Sequence, residues 1–294
     1  MPKFTLLLLL FALCSTAALP AQEEDLLALL GEEEETTEYA NASFKTNRVI
    51  NLHSLESTSA GVLDIKISHR FGTLNRGAYE LFGLDNASIR IGGDYGITDQ
   101  LTVGLGRSSY QKTFDGFVKY KFLRQSKGKK VMPVTAAFLA TTAIQSMKWQ
   151  NPDRENYFSS RMYYTFQLIV GRKFSENFSL QVSPTVVHRN LVKTAAEAHD
   201  VYAIAAAGRI KLTKRVALNA EYTYVLPDQL LPGFRNALSI GFDIETGGHV
   251  FQLHFTNSTS MIEPGLVTQT VETWGNGGIH FGFNVSRVFT VVRP

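Results

Sequence analysis

The sequence predicts an all-β fold, a transmembrane antiparallel up-and-down β-barrel of about twelve strands. Three observations predict it. Apolar and polar residues alternate with period two in segments of roughly 10 residues, the length of a tilted membrane-crossing strand. The connections between these segments alternate between short and long. The chain opens with an export signal, and no later apolar run reaches the roughly 20 residues that a spanning helix requires.

The N-terminus shows Lys3, an apolar run over residues 4–13 and small residues through Ala21. That pattern predicts a signal peptide over residues 1–21, cleaved near Ala21. Cys14, the single cysteine, falls inside it, so the mature chain is expected to carry no thiol, disulfide or cysteine metal site. Residues 22–43 read as a solvated, acidic periplasmic leader containing the run Glu32, Glu33, Glu34 and Glu35. Leu26, Leu27, Leu29 and Leu30 offer the alternative of one helical turn against a partner. With 44% hydrophobic and 19% charged residues, the chain is neither disordered nor a helical membrane protein. A net charge of +3, with no basic cluster beyond Lys127, Lys129 and Lys130, argues against nucleic acid as a partner.

The barrel is expected over residues 58–294. Successive side chains of a strand point to opposite faces, so each strand sorts its residues into two sets. Residues 61–71 set Leu63, Ile65 and Ile67 against Asp64, Lys66 and Arg70. Residues 88–109 form two strands. The first opposes Ile89, Ile91 and Tyr95 to Arg90, Gly92 and Asp94; the second opposes Leu101, Val103 and Leu105 to Thr102, Gly104 and Gly106. Residues 116–123 oppose Val118, Tyr120 and Phe122 to Phe117, Lys119 and Lys121. Residues 161–173 oppose Phe166, Leu168 and Val170 to Thr165, Gln167 and Gly171, and residues 178–188 oppose Leu180 and Val182 to Gln181 and Ser183. Residues 216–226 oppose Leu218, Tyr222 and Tyr224 to Asn219, Glu221 and Thr223. Residues 237–245, 250–256 and 279–292 repeat the design, with Asp243, Gln252, His254, His280 and Asn284 on polar faces. Residues 131–145 and 201–213 are noisier but compatible.

Short polar turns fall near residues 98–99, 175–177, 213–214 and 246–248, with a longer one at 125–130. Long loops cover residues 72–85, 146–160, 190–200, 227–235 and 257–277. Outer-membrane barrels have short periplasmic turns and longer external loops, which puts both chain ends in the periplasm and makes the strand number even. Parity then excludes residues 44–57 from the barrel wall and makes them a periplasmic or lumenal segment. Aromatics such as Tyr79, Phe114, Trp149 and Tyr157 lie near the long-loop ends, and Phe122, Phe174, Phe178 and Phe289 near the short turns, as two interfacial girdles would. A soluble lipocalin-like or jelly-roll barrel is the rival, because periodicity alone does not tell inside from outside.

The segments FKTNRVINLHSLES, LDIKISHRFG and YELFGLDNASIRIGGDYGITDQLTVGLGRSSYQKTFDGFVKYKFLRQ resemble an uncharacterised family of outer-membrane β-barrels of Bacteroidetes-type Gram-negative bacteria. The likeness carried by motifs covers residues 44–125; beyond that it is a rhythm of strands and turns. The resemblance implies the barrel and its place in the outer membrane, and it carries over no catalytic residue.

The predicted lumen carries Asp64, Lys66, Arg70, Arg90, Asp94, Lys119, Lys121, Arg209, Glu221 and Asp243, together with Lys173, Lys211 and Glu245. A charged lumen selects solutes, so the leading expectation is a pore or transport channel for small, anionic solutes. The alternative is a closed structural or partner-binding barrel whose lumen is filled by its own ion pairs. A barrel hydrolase is the third reading, with Ser68, His69, His188 and His199 as its available pieces, but no nucleophile motif such as GxSxG is present. The glycines of residues 92–106 sit within strands, so they form no phosphate loop. They leave room on one wall, a seat for residues 44–57. His254 and His280 share the polar face of adjacent strands; a symmetric connection places them opposite each other, with no third ligand for a metal. No catalytic residue and no cofactor is expected. The expected partners are outer-membrane lipid, the barrel assembly machinery and a small solute.

Overall fold

The computed structural model describes residues 36–292; the expected signal peptide and leader residues 22–35 lie outside the described residues. Fourteen strands follow one another: β1 (Thr37–Tyr39), β2 (Val62–Thr73), β3 (Ala87–Gly96), β4 (Leu101–Ser108), β5 (Thr113–Leu123), β6 (Ser126–Gly128), β7 (Thr135–Gln145), β8 (Met162–Lys173), β9 (Phe178–Arg189), β10 (Asp200–Lys211), β11 (Val216–Val225), β12 (Ala237–Thr246), β13 (His249–Thr256) and β14 (His280–Thr290). Twelve of them, all but β1 and β6, close into one barrel in sequence order, with β14 pairing antiparallel to β2. Closure leaves no barrel edge with unpaired backbone groups, which is what a strand-built membrane protein needs. Among the described residues no helix is long and apolar enough to cross a membrane.

Side-chain orientation rejects the soluble rival. Ile91, Leu105, Val118, Phe166, Phe242 and Leu253 are exposed on the outer wall, Leu105 by 75%. Arg70, Lys119, Gln181 and Glu221 are buried on the inner wall, Lys119 completely. A soluble barrel would reverse these faces; a membrane-spanning one requires them.

The β4–β5 connection is a tight turn over residues 109–112. Two connections differ from the sequence reading. The longer β5–β7 turn contains β6, which pairs with β1 as a small sheet outside the barrel, Glu38 opposite Lys127 and Tyr39 opposite Ser126. Residues 257–277, expected as an external loop, include the short helix α1 (Glu263–Thr268), and every residue of that helix is buried. Its sequence explains this: Leu266 and Val267 join apolar clusters inside the barrel, and Glu263 finds a buried cationic partner there.

Candidate functional site

The lumen is filled by residues 44–57, hereafter the plug, and by α1. The plug is a tight irregular hairpin. Val49 N–H donates to Leu52 O (2.8 Å), Ser54 N–H to Asn47 O (2.9 Å), and Arg48 bridges His53. Only part of its backbone is satisfied internally, and buried backbone groups need partners. The wall supplies them.

Glu221 of β11 accepts the backbone N–H groups of Ile50, Asn51 and Leu52 at 3.0–3.2 Å and the Asn51 side-chain amide at 2.8 Å. Gln252 of β13 donates to Val49 O at 2.7 Å, and Asn284 of β14 to Ile50 O at 3.0 Å. Gln181 of β9 holds both sides of the chain, donating to His53 O at 2.7 Å and accepting from Leu55 N–H at 3.1 Å. Lys119 of β5 donates to the carbonyls of Ser54 (3.2 Å) and Glu56. Hydrogen bonds to charged groups contribute about 1.5–3 kcal/mol each, and an unmade buried bond costs a comparable amount. Many weak fixings therefore add to a firmly seated plug.

The expected lumen residues divide by what they touch. Arg70 bonds Asn51 Oδ1 at 2.5 Å and also meets His254; Asp94 accepts from Asn47 at 3.4 Å; Arg209 reaches Ala42 O at 3.5 Å. With Lys119 and Glu221, these five bond residues 42–56 directly. Arg90 is paired instead with Asp115 of β5, at 2.5 and 2.9 Å, and Asp243 accepts from Gln252 at 2.8 Å. Asp64 and Lys66 are buried on the inner wall of β2, and Lys121 is half-buried toward the periplasmic end. At the periplasmic rim, Lys173 reaches Asn41 O at 3.0 Å and Glu245 pairs with Lys45 at 2.6 Å. There, too, the hydrogen bond and charge of Lys173 hold the exposed Glu176 carboxyl below the ordinary carboxylate range.

A second lock joins the plug to α1. Arg48 pairs with Glu263 at 2.8 Å, both side chains buried, and His53 Nε2 lies 3.6 Å from the same carboxylate. His53 also packs edge-on against Phe117, ring centres 4.4 Å apart. Neither Arg48 nor Glu263 was singled out by periodicity, because neither lies on a strand. Gln181, Gln252 and Asn284 were on the correct faces, but neutral amides there looked like ordinary lumen lining.

The glycine wall is used more locally than expected. A Cβ on Gly96 would run into the carbonyls of Ser59 and Thr58, so the chain leaving the plug sits directly on that glycine. Above Gly106 lies the Arg90 guanidinium, and above Gly104 the Phe117 ring, so wall side chains rather than the plug fill most of this space. The two strand histidines are not opposite each other. His254 pairs with Gly282 and His280 with Thr256, and His280 bonds Phe71 O at 2.7 Å. Ser68 and His69 point to opposite faces, with His69 stacked outside on Phe283 at 4.6 Å. His188 bonds Asp200 at 2.7 Å, and His199 bonds Arg189 O at 2.7 Å.

What remains open is uneven. On the periplasmic side a vestibule of about 520 Å³ lies between plug residues such as Asn47 and Glu56 and wall residues such as Asp64 and Ser286. Farther out, beside Ser108, Gln145 and Ile262, a separate cavity holds about 20 Å³. Holding one water takes roughly 10–15 Å³, so that space admits water and no solute.

Among solved structures, the NanC porin is similar at 8% identity and a TM-score of 0.50, covering 78% of this chain and all of its own. Omp33 of Acinetobacter baumannii (10% identity, TM-score 0.40) covers 80% of this chain and 99% of its own. At these identities the likeness concerns the fold alone. No curated protein matches the chain. The family described as a membrane bound beta barrel domain (DUF5777) matches residues 44–289, from the first residue of the plug to near the end of β14, and the chain belongs to that family.

Proposed function

We propose that the protein is an outer-membrane barrel that is closed at rest, sealed by its own residues 44–57 and by α1, and that works by binding partners at its ends. The observation that supports this reading is the match between wall and plug. Glu221, Gln181, Gln252, Asn284 and Lys119 are each spent on plug backbone, an investment that a solute-lining pore would not need. In this reading the chain catalyses no reaction.

The experiment is conductance of refolded, inserted protein in planar bilayers. Silence at moderate voltage is the expected result, and stable single-channel steps from the wild-type protein would sink the reading. A second reading, a gated channel, is favoured by the periplasmic vestibule, which leads to the plug. It requires the plug to move, and it gives little preference for anionic solutes. Lys66, Arg70, Arg90, Lys119, Lys121 and Arg209 would then face Asp64, Asp94, Asp115, Glu221, Asp243 and Glu263, and the charges cancel.

A further inference from the structure

The outer wall carries a groove that the lumen architecture does not explain. It lies across β3, β4, β5, β7 and β8 and encloses about 730 Å³, lined almost wholly by apolar atoms. Two rows of strand partners make it. One runs Gly93, Leu105, Gly116, Thr142, Tyr164, and the other Tyr95, Val103, Val118, Ala140, Phe166. Small residues at positions 93, 116, 140 and 142 form the floor, because their outward side chains are too short to fill the space between Leu105, Val118, Tyr164 and Phe166. A Cβ on Gly116 would meet the Leu105 side chain at 3.0 Å, so the absence of a side chain there is what keeps the floor low.

The same wall is basic just beyond the groove's outer end. Arg107 follows Leu105 on the outward face of β4, one pleat closer to the long-loop end, and stacks over Phe114 with its guanidinium 5.4 Å from the ring centre. Lys112 is exposed in the adjoining β4–β5 turn. Arg161, just before β8, lies over the Trp149 ring at 3.7 Å, and Lys148, next to Trp149 in the chain, is exposed. Aromatic rings mark the depth at which a membrane protein passes from acyl chains to headgroups. Two arginines laid on such rings hold their charge at that depth, above a trough for hydrocarbon.

We infer that this wall is a binding site for a phosphorylated, multiply acylated lipid of the external leaflet. Acyl chains lie in the groove, and phosphate is held by Arg107 with Lys112, Lys148 and Arg161. Apolar area buried in the groove supplies non-specific affinity, and the arginine–phosphate bonds supply the choice of headgroup. The orientation rests on the long connections being external.

Native mass spectrometry of the full mature protein in detergent tests it, with diphosphorylated lipid A, its dephosphorylated form and phosphatidylcholine as probes. Lipid A is expected to be retained one per barrel. Arg107→Ala is expected to weaken it about tenfold, the loss of one charge-assisted contact, without changing phosphatidylcholine retention. Ala140→Leu, an outward apolar substitution that fills the floor, is expected to weaken all three lipids. Both variants should keep the heat-modifiable mobility of a folded barrel. Equal retention of the three lipids by the wild-type protein, or full lipid A retention by folded Arg107→Ala and Ala140→Leu, would overturn the assignment. So would dimers forming across this wall in place of lipid.

Discussion

At the scale of single residues, Glu221 shows how one strand position controls a neighbouring segment. Its carboxylate is the shared acceptor for three consecutive backbone N–H groups and one side-chain amide. Glu221→Ala would leave those donors buried without an acceptor, at a cost of roughly 1–3 kcal/mol for each one not rescued by water. The expected outcome is a lower temperature for the conversion from folded to unfolded mobility on a denaturing gel, with Glu221→Gln intermediate because one amide oxygen still accepts. An unchanged conversion temperature in Glu221→Ala would show that the plug is not seated through this contact. Two glycines offer a matched comparison. Gly93 faces outward, where a Cβ would meet only side-chain methyls at 3.4 Å; Gly96 faces backbone carbonyls that are not free to move aside. Gly93→Ala is therefore expected to be neutral or to stabilise by about 0.5 kcal/mol, while Gly96→Ala costs roughly 1–3 kcal/mol through overpacking. The two gel conversion temperatures, compared directly, check the difference.

At the scale of elements, the plug and α1 arrive from opposite ends of the barrel and meet at Arg48 and Glu263. Removing one partner of a buried ion pair strands the other charge and costs about 3–5 kcal/mol, whereas replacing both with apolar residues of similar size is often nearly neutral. Arg48→Met and Glu263→Met are each expected to speed proteolysis within residues 44–57 in the folded barrel. The double variant should recover most of the protection. Additive loss in the double variant would mean that the two residues act separately and that plug and loop are not coupled. The elements also explain which parts of the sequence were legible. Strands with one oily and one polar face, such as β11 and β13, could be read residue by residue. The strands over residues 131–145 and 201–213 were noisy for a physical reason. Their inward faces carry Leu139, Ala205 and Ala207, which pack against Phe44, Val49, Leu52 and Leu55 of the plug. Alternation fades wherever a wall strand is apolar on both faces, exposed outside and packed on the plug inside, so the noise itself marked the apolar seat of the plug. Parity kept residues 44–57 out of the wall, but their seating depends on contacts as far as 234 residues apart in sequence, such as Leu55 with Gln181 and Ile50 with Asn284, which no local pattern encodes. The inward course of residues 257–277 was hidden in the same way, since a length of chain between two strands looks like an external loop whichever way it folds.

At the scale of the whole molecule, the question is whether the barrel wall can stand without its plug. The wall is closed by continuous antiparallel pairing, and that pairing does not involve residues 44–57. Its inner surface, however, holds charges whose partners sit on the plug. Lys119 and Arg70 are among the most deeply buried side chains, and both bond plug groups. A barrel lacking residues 44–57 would therefore have to hydrate its lumen, and water is able to satisfy those groups as the plug does, provided the lumen opens to bulk. The expected outcome for the deletion variant is a folded, heat-modifiable barrel of lower stability that conducts in planar bilayers with weak ion selectivity, beside a silent wild-type protein. Glu221→Ala, which keeps the plug but frees its backbone, is expected to flicker between the two behaviours. If the deletion variant folds, inserts and stays silent, α1 alone seals the barrel. Arg48, which lies within residues 44–57, would then not be needed to hold that helix, and removal of Glu263–Thr268 in the deletion background becomes the variant in which conductance should first appear.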